Sequence, residues 1–373
     1  DDDREGAAIA WHICDTFELP VETTPRILFN EITKTALVAA VNSPTTINQD
    51  LVNAQFGRQI LDVVIGYRLS PMLWEYISRT KGLSAGRCQS PALRLVYERE
   101  IEEHTGDVVY TTTGYFTRYT IPFSLSFEFE SQEDMEDFLT ETVNHQHILR
   151  CGAIKETSKQ QPEPFTTSRL QQVASNLYNM SPKETMKVAQ TLYEGGHITY
   201  MRTDSKHYSP EFVATAHAYV DKTWGADYYD KSKQPCGRKK QCAKAQEAHE
   251  AIRPTNVSLC NLDSKLDTRL RRLYKLIWTN TVESCMVEAR YNMYVAAISA
   301  YDNHTFKYTC EQCVFKGWQA VQGVKQEDDF YNYLRSLKPE IDYTKVTANM
   351  TMKNLKTHYT EAKLVDLLEK KGI

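Results

Sequence analysis

Hydrophobic positions along this chain follow two rhythms, and where one gives way to the other predicts how it is organised. Ala7 to His12 form an apolar helix after an acidic opening, and Pro25 to Thr33 read as a strand and polar turn before a helix over Lys34 to Val41. From Asn48 to Tyr67 the helical period predicts that Leu51, Ala54, Leu61, Val64 and Ile65 face inward, with Arg58 on another face. Between Gly106 and Gly152 the period changes to two: Phe123 to Glu130 alternate as a half-buried strand, and the Thr- and Tyr-rich Val108 to Tyr119 supports another. A similar block returns from Val287 to Val324.

A helical insert begins at Phe165. Ser168-x-x-Gln171 reads as a capping box opening a helix to Tyr178, and Ser181-Pro182-Lys183-Glu184 opens a second, through Met186, Ala189 and Leu192 to a stop at Gly195-Gly196. Two β blocks flanking helices predict one β domain interrupted by another domain. A last helix runs from Tyr359-Thr360-Glu361-Ala362 to Lys371.

With 373 residues the chain has room for several domains and a sizeable core. Its net charge of −4 gives no global nucleic-acid signature, so any DNA site must be a local basic patch. Nothing resembles a membrane span or a secretory signal, which predicts a soluble protein. Nine scattered cysteines suit reduced thiols in an intracellular compartment better than a disulfide framework.

The stretch richest in chemistry is Ile198-Thr199-Tyr200-Met201-Arg202-Thr203-Asp204-Ser205. A short extended run puts Tyr200 and Arg202 on one face, with Asp204 and Ser205 placed to cap the next segment. A tyrosine hydroxyl, with an ordinary pKa near ~10, attacks phosphorus only as its proton leaves, and a neighbouring guanidinium lowers that cost while holding a phosphodiester with two prongs. On spacing alone, such a pair is more often a packed aromatic beside a surface cation. At the opening, Asp1, Asp3 and Glu5 offer oxygen ligands for Mg²⁺, against the commoner reading of a solvated acidic tail.

In Leu83 to Pro91, Ser90 reads as an N-cap and Pro91 as the first helical residue, so Arg87 beside a helix N-terminus makes a phosphate site, with a structural turn as the alternative. Lys231, Lys233, Arg238, Lys239, Lys240 and Lys244 read as a basic surface loop, with nonspecific phosphate attraction as the alternative, before Ala248-His249-Glu250-Ala251-Ile252-Arg253-Pro254. Cys310-Glu311-Gln312-Cys313 lacks a second ligand pair and reads as two unrelated cysteines in a hairpin turn.

The octapeptide around Tyr200, the Asp-x-Asp-x-Glu opening, the Arg87 loop and the His249 to Pro254 stretch together resemble type IA DNA topoisomerases. Met201 resembles the topoisomerase I branch. The resemblance implies a multidomain toroid mixing α/β, α and β parts. It divides the chain into the C-terminal part of a Toprim domain (1–47), a helical DNA-binding domain (48–105, resuming at 346–373), a β domain (106–162 and 287–345), and a winged-helix-like domain carrying the tyrosine (163–286). The family's earlier Toprim glutamate and its later Gly-Arg-Pro-Ser-Thr motif are missing, so the chain is expected to be part of a longer protein.

By the same resemblance, Tyr200, Arg202, His249 and Glu5 are catalytic, Arg87, Gln89, Arg253 and Asp204 contact DNA, and Asp1, Asp3 and Glu5 hold Mg²⁺. Arg253 would also brace the site. The implied activity cleaves one DNA strand through a 5′-phosphotyrosyl link, passes a strand and reseals, relaxing negative supercoils without ATP. The implied partners are single-stranded segments of negatively supercoiled DNA, met by a monomer. The alternatives are a single-stranded DNA-binding module that does not turn over, and a topoisomerase III or reverse gyrase.

Overall fold

A computed structural model describes residues 3–78, 82–102, 106–230, 250–323 and 330–372. In chain order it runs α1 (Arg4–Thr16), α2 (Lys34–Asn42), α3 (Gln49–Tyr76), α4 (Gln89–Ile101), β1 (Asp107–Tyr115), β2 (Phe123–Phe129), α5 (Gln132–Thr142), β3 (Leu149–Cys151) and β4 (Lys155–Lys159). It continues through α6 (Thr167–Tyr178), α7 (Pro182–Glu194), α8 (Pro210–Trp224), α9 (Thr268–Ser284), β5 (Ala289–Ser299), β6 (Thr305–Phe315), α10 (Phe330–Arg335), β7 (Lys345–Lys353) and α11 (Glu361–Lys371). No helix among the described residues is long and apolar enough to cross a membrane.

The chain divides into two compact units. One comprises Glu102–Gln161 and Val287–Thr357. The seven strands among its described residues form one sheet in the order β3-β5-β6-β2-β1-β7, with β4 also paired to β5, and every pairing is antiparallel. Strands from both β blocks therefore share one ladder. β7 lies beside β1 in continuous register from Asp107↔Lys353 to Tyr115↔Lys345, so the sheet extends past residue 345, where the second block was expected to end. Phe116, Phe123, Phe138, Tyr294, Phe306 and Leu334 fill the core over this sheet. Cys310 and Cys313 lie inside β6 rather than in a hairpin turn: the strand runs straight through them to Phe315.

The other unit comprises Asp1–Ile101, Pro162–Met286 and His358–Ile373 and is helical. Short polar side chains set its helix starts: Asp3, Thr33, Asn48, Ser181, Ser209 and Thr360 each accept a hydrogen bond from a first-turn N–H. Such a cap contributes about 1 kcal/mol. Three expected starts move. Thr166 rather than Ser168 caps α6, because Ser168 Oγ is committed to Glu369 of α11. α4 begins at Gln89, with Ser90 Oγ accepting from the Gly86 N–H one turn back. Ser209 caps α8, while Asp204 stays exposed and Ser205 Oγ accepts from the His207 N–H.

α1 packs on the start of α3 through Ala7, Cys14, Ile47 and Val52, with Trp11 edge-on to Phe56. Beyond that contact α3 departs from its expected orientation: Leu61 and Val64 are exposed, as are Ile60 and Val63. Its apolar residues sit around the whole circumference, so the helical period picks out no single buried face. The expected strand at Pro25 to Thr33 reduces to one bridge, Arg26↔Thr45. Its backbone groups go to scattered partners rather than to a neighbouring ladder; Asn30 O, for one, accepts from the Tyr200 N–H.

Candidate active site

The site grows from a helix that stops abruptly. α7 ends at Glu194, and Gly196 turns the chain with φ +70°. A Cβ there would lie 2.6 Å from the Ile32 carbonyl oxygen, so glycine is required by both conformation and contact. The chain then forms an isolated bridge, Ile198↔Pro254, rather than the extended run expected through Tyr200 and Arg202: the backbone bends at His197, Thr199 and Met201. Thr199 is held on both sides by the neighbouring segment: its N–H donates to Arg253 O and its hydroxyl to Ala251 O at 3.1 Å. Tyr200 N donates to Asn30 O at 2.7 Å. The tyrosine backbone is thus fixed by two segments distant in sequence.

From that backbone the Tyr200 ring lies edge-on to Tyr193, centroids 5.3 Å apart, and its hydroxyl donates to Asp3 Oδ2 at 2.7 Å. The other oxygen, Asp3 Oδ1, accepts from the Gly6 N–H at 2.6 Å, so one carboxylate caps α1 and holds the phenol. Arg202 reaches the same helix: its Nη1 lies 2.6 Å from Glu5 Oε2, in a pair more than half exposed on both sides. Burial, then the hydrogen bond to Asp3 and the negative charge of Asp3, push the Tyr200 hydroxyl well above the usual tyrosine range, against the opposing effect of Arg202. Burial also pushes Asp3 up, but the Gly6 N–H, the Tyr200 hydroxyl and the Arg202 charge outweigh it and leave Asp3 below the usual carboxylate range.

Behind the tyrosine sits a second network. Arg253, buried to within 7 % of full cover, pairs with Glu250 at 2.6 Å and Glu31 at 3.0 Å and lies over the Phe212 ring. Glu250 also accepts from the Ser209 N–H at 2.5 Å and from Asn30 Nδ2 at 2.9 Å. The guanidinium of Arg253 is therefore a brace between segments, saturated by carboxylates, rather than an open phosphate contact. Asn30, Glu31 and Glu250 are the positioning residues that sequence reasoning left without a role. Their signal was the polar Asn30-Glu31 turn and the acid three residues before Arg253, but nothing local names their partners.

Of the other expected site residues, Arg87 bonds Asp62 on α3 at 3.1 Å and Gln89 bonds Ser84 at 3.1 Å, so both make their contacts within the α3–α4 segment. Asp1, His249 and the basic run from Lys231 to Lys244 lie outside the described residues. Among the described residues no three His, Cys, Asp or Glu side chains converge as a metal-binding set.

This arrangement brings together a phenol, a carboxylate and a guanidinium, and comparison with known proteins places the chain in a lineage. A family model described as DNA topoisomerase matches residues 46–373. DNA topoisomerase 1 of Vibrio cholerae is 36% identical over the whole chain, which covers 43% of that protein. DNA topoisomerase 1 of Helicobacter pylori is 35% identical, again over the whole chain and 53% of the relative. The structure of full-length topoisomerase I from Thermotoga maritima superposes with a TM-score of 0.83 at 31% identity, covering all of this chain and 62% of that one. The chain spans about half the length of the curated relatives it matches. It belongs to the DNA topoisomerase family, and within it to the type IA topoisomerase I line.

Proposed function

We propose that this chain carries the strand-breaking centre of a type IA topoisomerase that relaxes negatively supercoiled DNA without ATP. The observation that carries the reading is the 2.7 Å bond from Tyr200 to Asp3, which joins the tyrosine octapeptide to the acidic opening across 197 residues of sequence. At rest the phenol keeps its proton, held on Asp3 Oδ2. As Tyr200 Oη bonds to phosphorus and the bond from phosphorus to the 3′-oxygen breaks, the phenol proton passes to Asp3. The 3′-oxygen takes a proton from water to become a free hydroxyl, and the hydroxide so formed is neutralised by the proton Asp3 releases. Arg202 exchanges Glu5 for phosphate oxygens and stabilises the negative charge of the transition state. One phosphoester replaces another, so the break stores what resealing needs, and the 3′-hydroxyl reverses the reaction after a strand has passed.

Asp3 and Glu5 present carboxylate oxygens of the kind a hard divalent cation takes, and with Asp1 they would hold Mg²⁺. When bound, the ion supplies positive charge beside the phosphate and steadies the ends for resealing. His249, next to Glu250 in sequence, is assigned to the scissile phosphate on resemblance, as are Arg87, Gln89 and Asp204 to the DNA path. The finer organisation follows the same resemblance: Toprim residues 1–47, helical DNA-binding segments, a winged-helix-like domain around α6 and α7, and a monomer acting on single-stranded segments inside the cell.

Plasmid relaxation tests this. The protein should change linking number in steps of one on negatively supercoiled plasmid, with Mg²⁺ and without ATP, and Tyr200→Phe should not. Relaxation at the parent rate by Tyr200→Phe would overturn the assignment.

A further inference from the structure

Beside Tyr200 the helical unit holds a cavity of about 530 Å³ between α1 and α7, within the roughly 300–1,000 Å³ range of sites for small organic ligands. Tyr200 and Arg202 line one side of it. Lys187 and Gln190, one helical turn apart on α7, line the other, and Ile9 of α1 adds an apolar wall that is half exposed. The polar groups here differ in how they are engaged. Arg202 pairs with Glu5, and the Gln190 amide donates to Glu194 at 2.7 Å. Lys187 is exposed and makes no ion pair with any described residue. A cation without an acid partner, on the wall of a cavity that also contains the nucleophile, is placed to meet a second negative charge of the substrate.

We propose that this cavity receives the nucleotide esterified to Tyr200, and that Lys187 binds the first phosphate on the 3′ side of the scissile one. The inference rests on the strand-breaking reading above and deepens it. The Tyr200-linked nucleotide enters because Tyr200 itself lines the space. Its base lies against Ile9, and the strand leaves past α7, where Lys187 neutralises the next phosphate. Gln190 supplies an amide to the sugar or base edge without selecting a sequence. Lys187 thereby orients the covalently held 5′ end while the complex is open, which keeps the phosphotyrosyl bond aligned for the returning 3′-hydroxyl.

The test uses the full chain in a Tyr200→Phe background, so that binding is read without cleavage, and an oligonucleotide with a mapped cleavage site. Removing one phosphate contact on single-stranded DNA lowers the slope of log K against log salt by about 0.7. Lys187→Gln should show that decrease, and Lys187→Arg should restore the parent slope. With a neutral methylphosphonate at the first phosphate 3′ of the cleavage site, Lys187→Gln should cause no further loss; with the methylphosphonate several positions away, the two losses should add. Strong binding with an unchanged slope, or losses that add at every position, would overturn this proposal alone and leave Lys187 a solvated surface residue. Failure of the parent to bind the oligonucleotide would overturn both this proposal and the reading it rests on.

Discussion

Tyr200 Oη and Asp3 Oδ2 stand 2.7 Å apart, and the same carboxylate accepts the Gly6 N–H that starts α1. One side chain therefore caps a helix terminus and accepts the hydrogen bond of the Tyr200 hydroxyl, whose proton it takes in the proposed reaction. The two roles separate chemically. Asparagine caps helices as well as aspartate does but is a far poorer proton acceptor.

Asp3→Asn should accordingly fold like the parent, bind DNA, and form covalent adduct about 10²- to 10⁴-fold more slowly, the usual range for a positioned acid or base. Single-turnover cleavage beside a circular-dichroism melt measures both. A melt lowered by several degrees with an unchanged cleavage rate would reverse the assignment and leave Asp3 as a cap only.

The two arginines of the site should respond in opposite ways. Arg253 is buried between Glu31 and Glu250, so Arg253→Met leaves two carboxylates without their cation and should destabilise the helical unit by about 3–5 kcal/mol. Arg202 and Glu5 are more than half exposed, so Arg202→Ala should change stability by no more than about 1 kcal/mol while severely impairing cleavage. Denaturant unfolding followed by cleavage assays on both variants distinguishes them.

In the sheet unit, the Nε2 atoms of His145 and His147 are buried without hydrogen-bond partners, and the two rings lie 5.1 Å apart. Phe116 and Tyr343 pack on the His147 ring, and His147 Nδ1 meets Ser299 O at 2.8 Å. Burial and then the neighbouring His147 hold His145 below its ordinary value of 6.5. A histidine whose folded pKa is depressed binds fewer protons folded than unfolded. Its contribution is intact above about pH 6.5 and is lost as pH falls through the folded value. Thermal melts from about pH 7.5 to 5.5 should therefore show His145→Gln losing less stability on acidification than the parent. Parallel losses would contradict the sign.

Features of this site that depend on neighbouring residues in sequence could be read from the sequence; those that depend on distant partners could not. Ser181-Pro182 and Gly195-Gly196 bound α7 as their local chemistry requires. The pairing of Asp3 with Tyr200, and of Arg253 with Glu31, joins residues about two hundred positions apart, and only resemblance brought their stretches together. Thr166 and Ser168 offer the same hydroxyl to α6, and the choice falls to Glu369 on a distant helix, which claims Ser168. On α3 the helical period does not single out the buried face, because Leu61 and Val64 belong to an apolar surface that wraps the helix and α1 covers only its first turns.

The most direct measurement is covalent trapping. The chain is incubated with an end-labelled single-stranded oligonucleotide and Mg²⁺, quenched with denaturant, and the adduct is digested and mapped by mass spectrometry. The account predicts a nucleotide joined through its 5′-phosphate to the peptide containing Tyr200, a free 3′-hydroxyl on the released fragment, and no adduct from Tyr200→Phe. An adduct of equal yield from Tyr200→Phe, or a link through a 3′-phosphate, would contradict it.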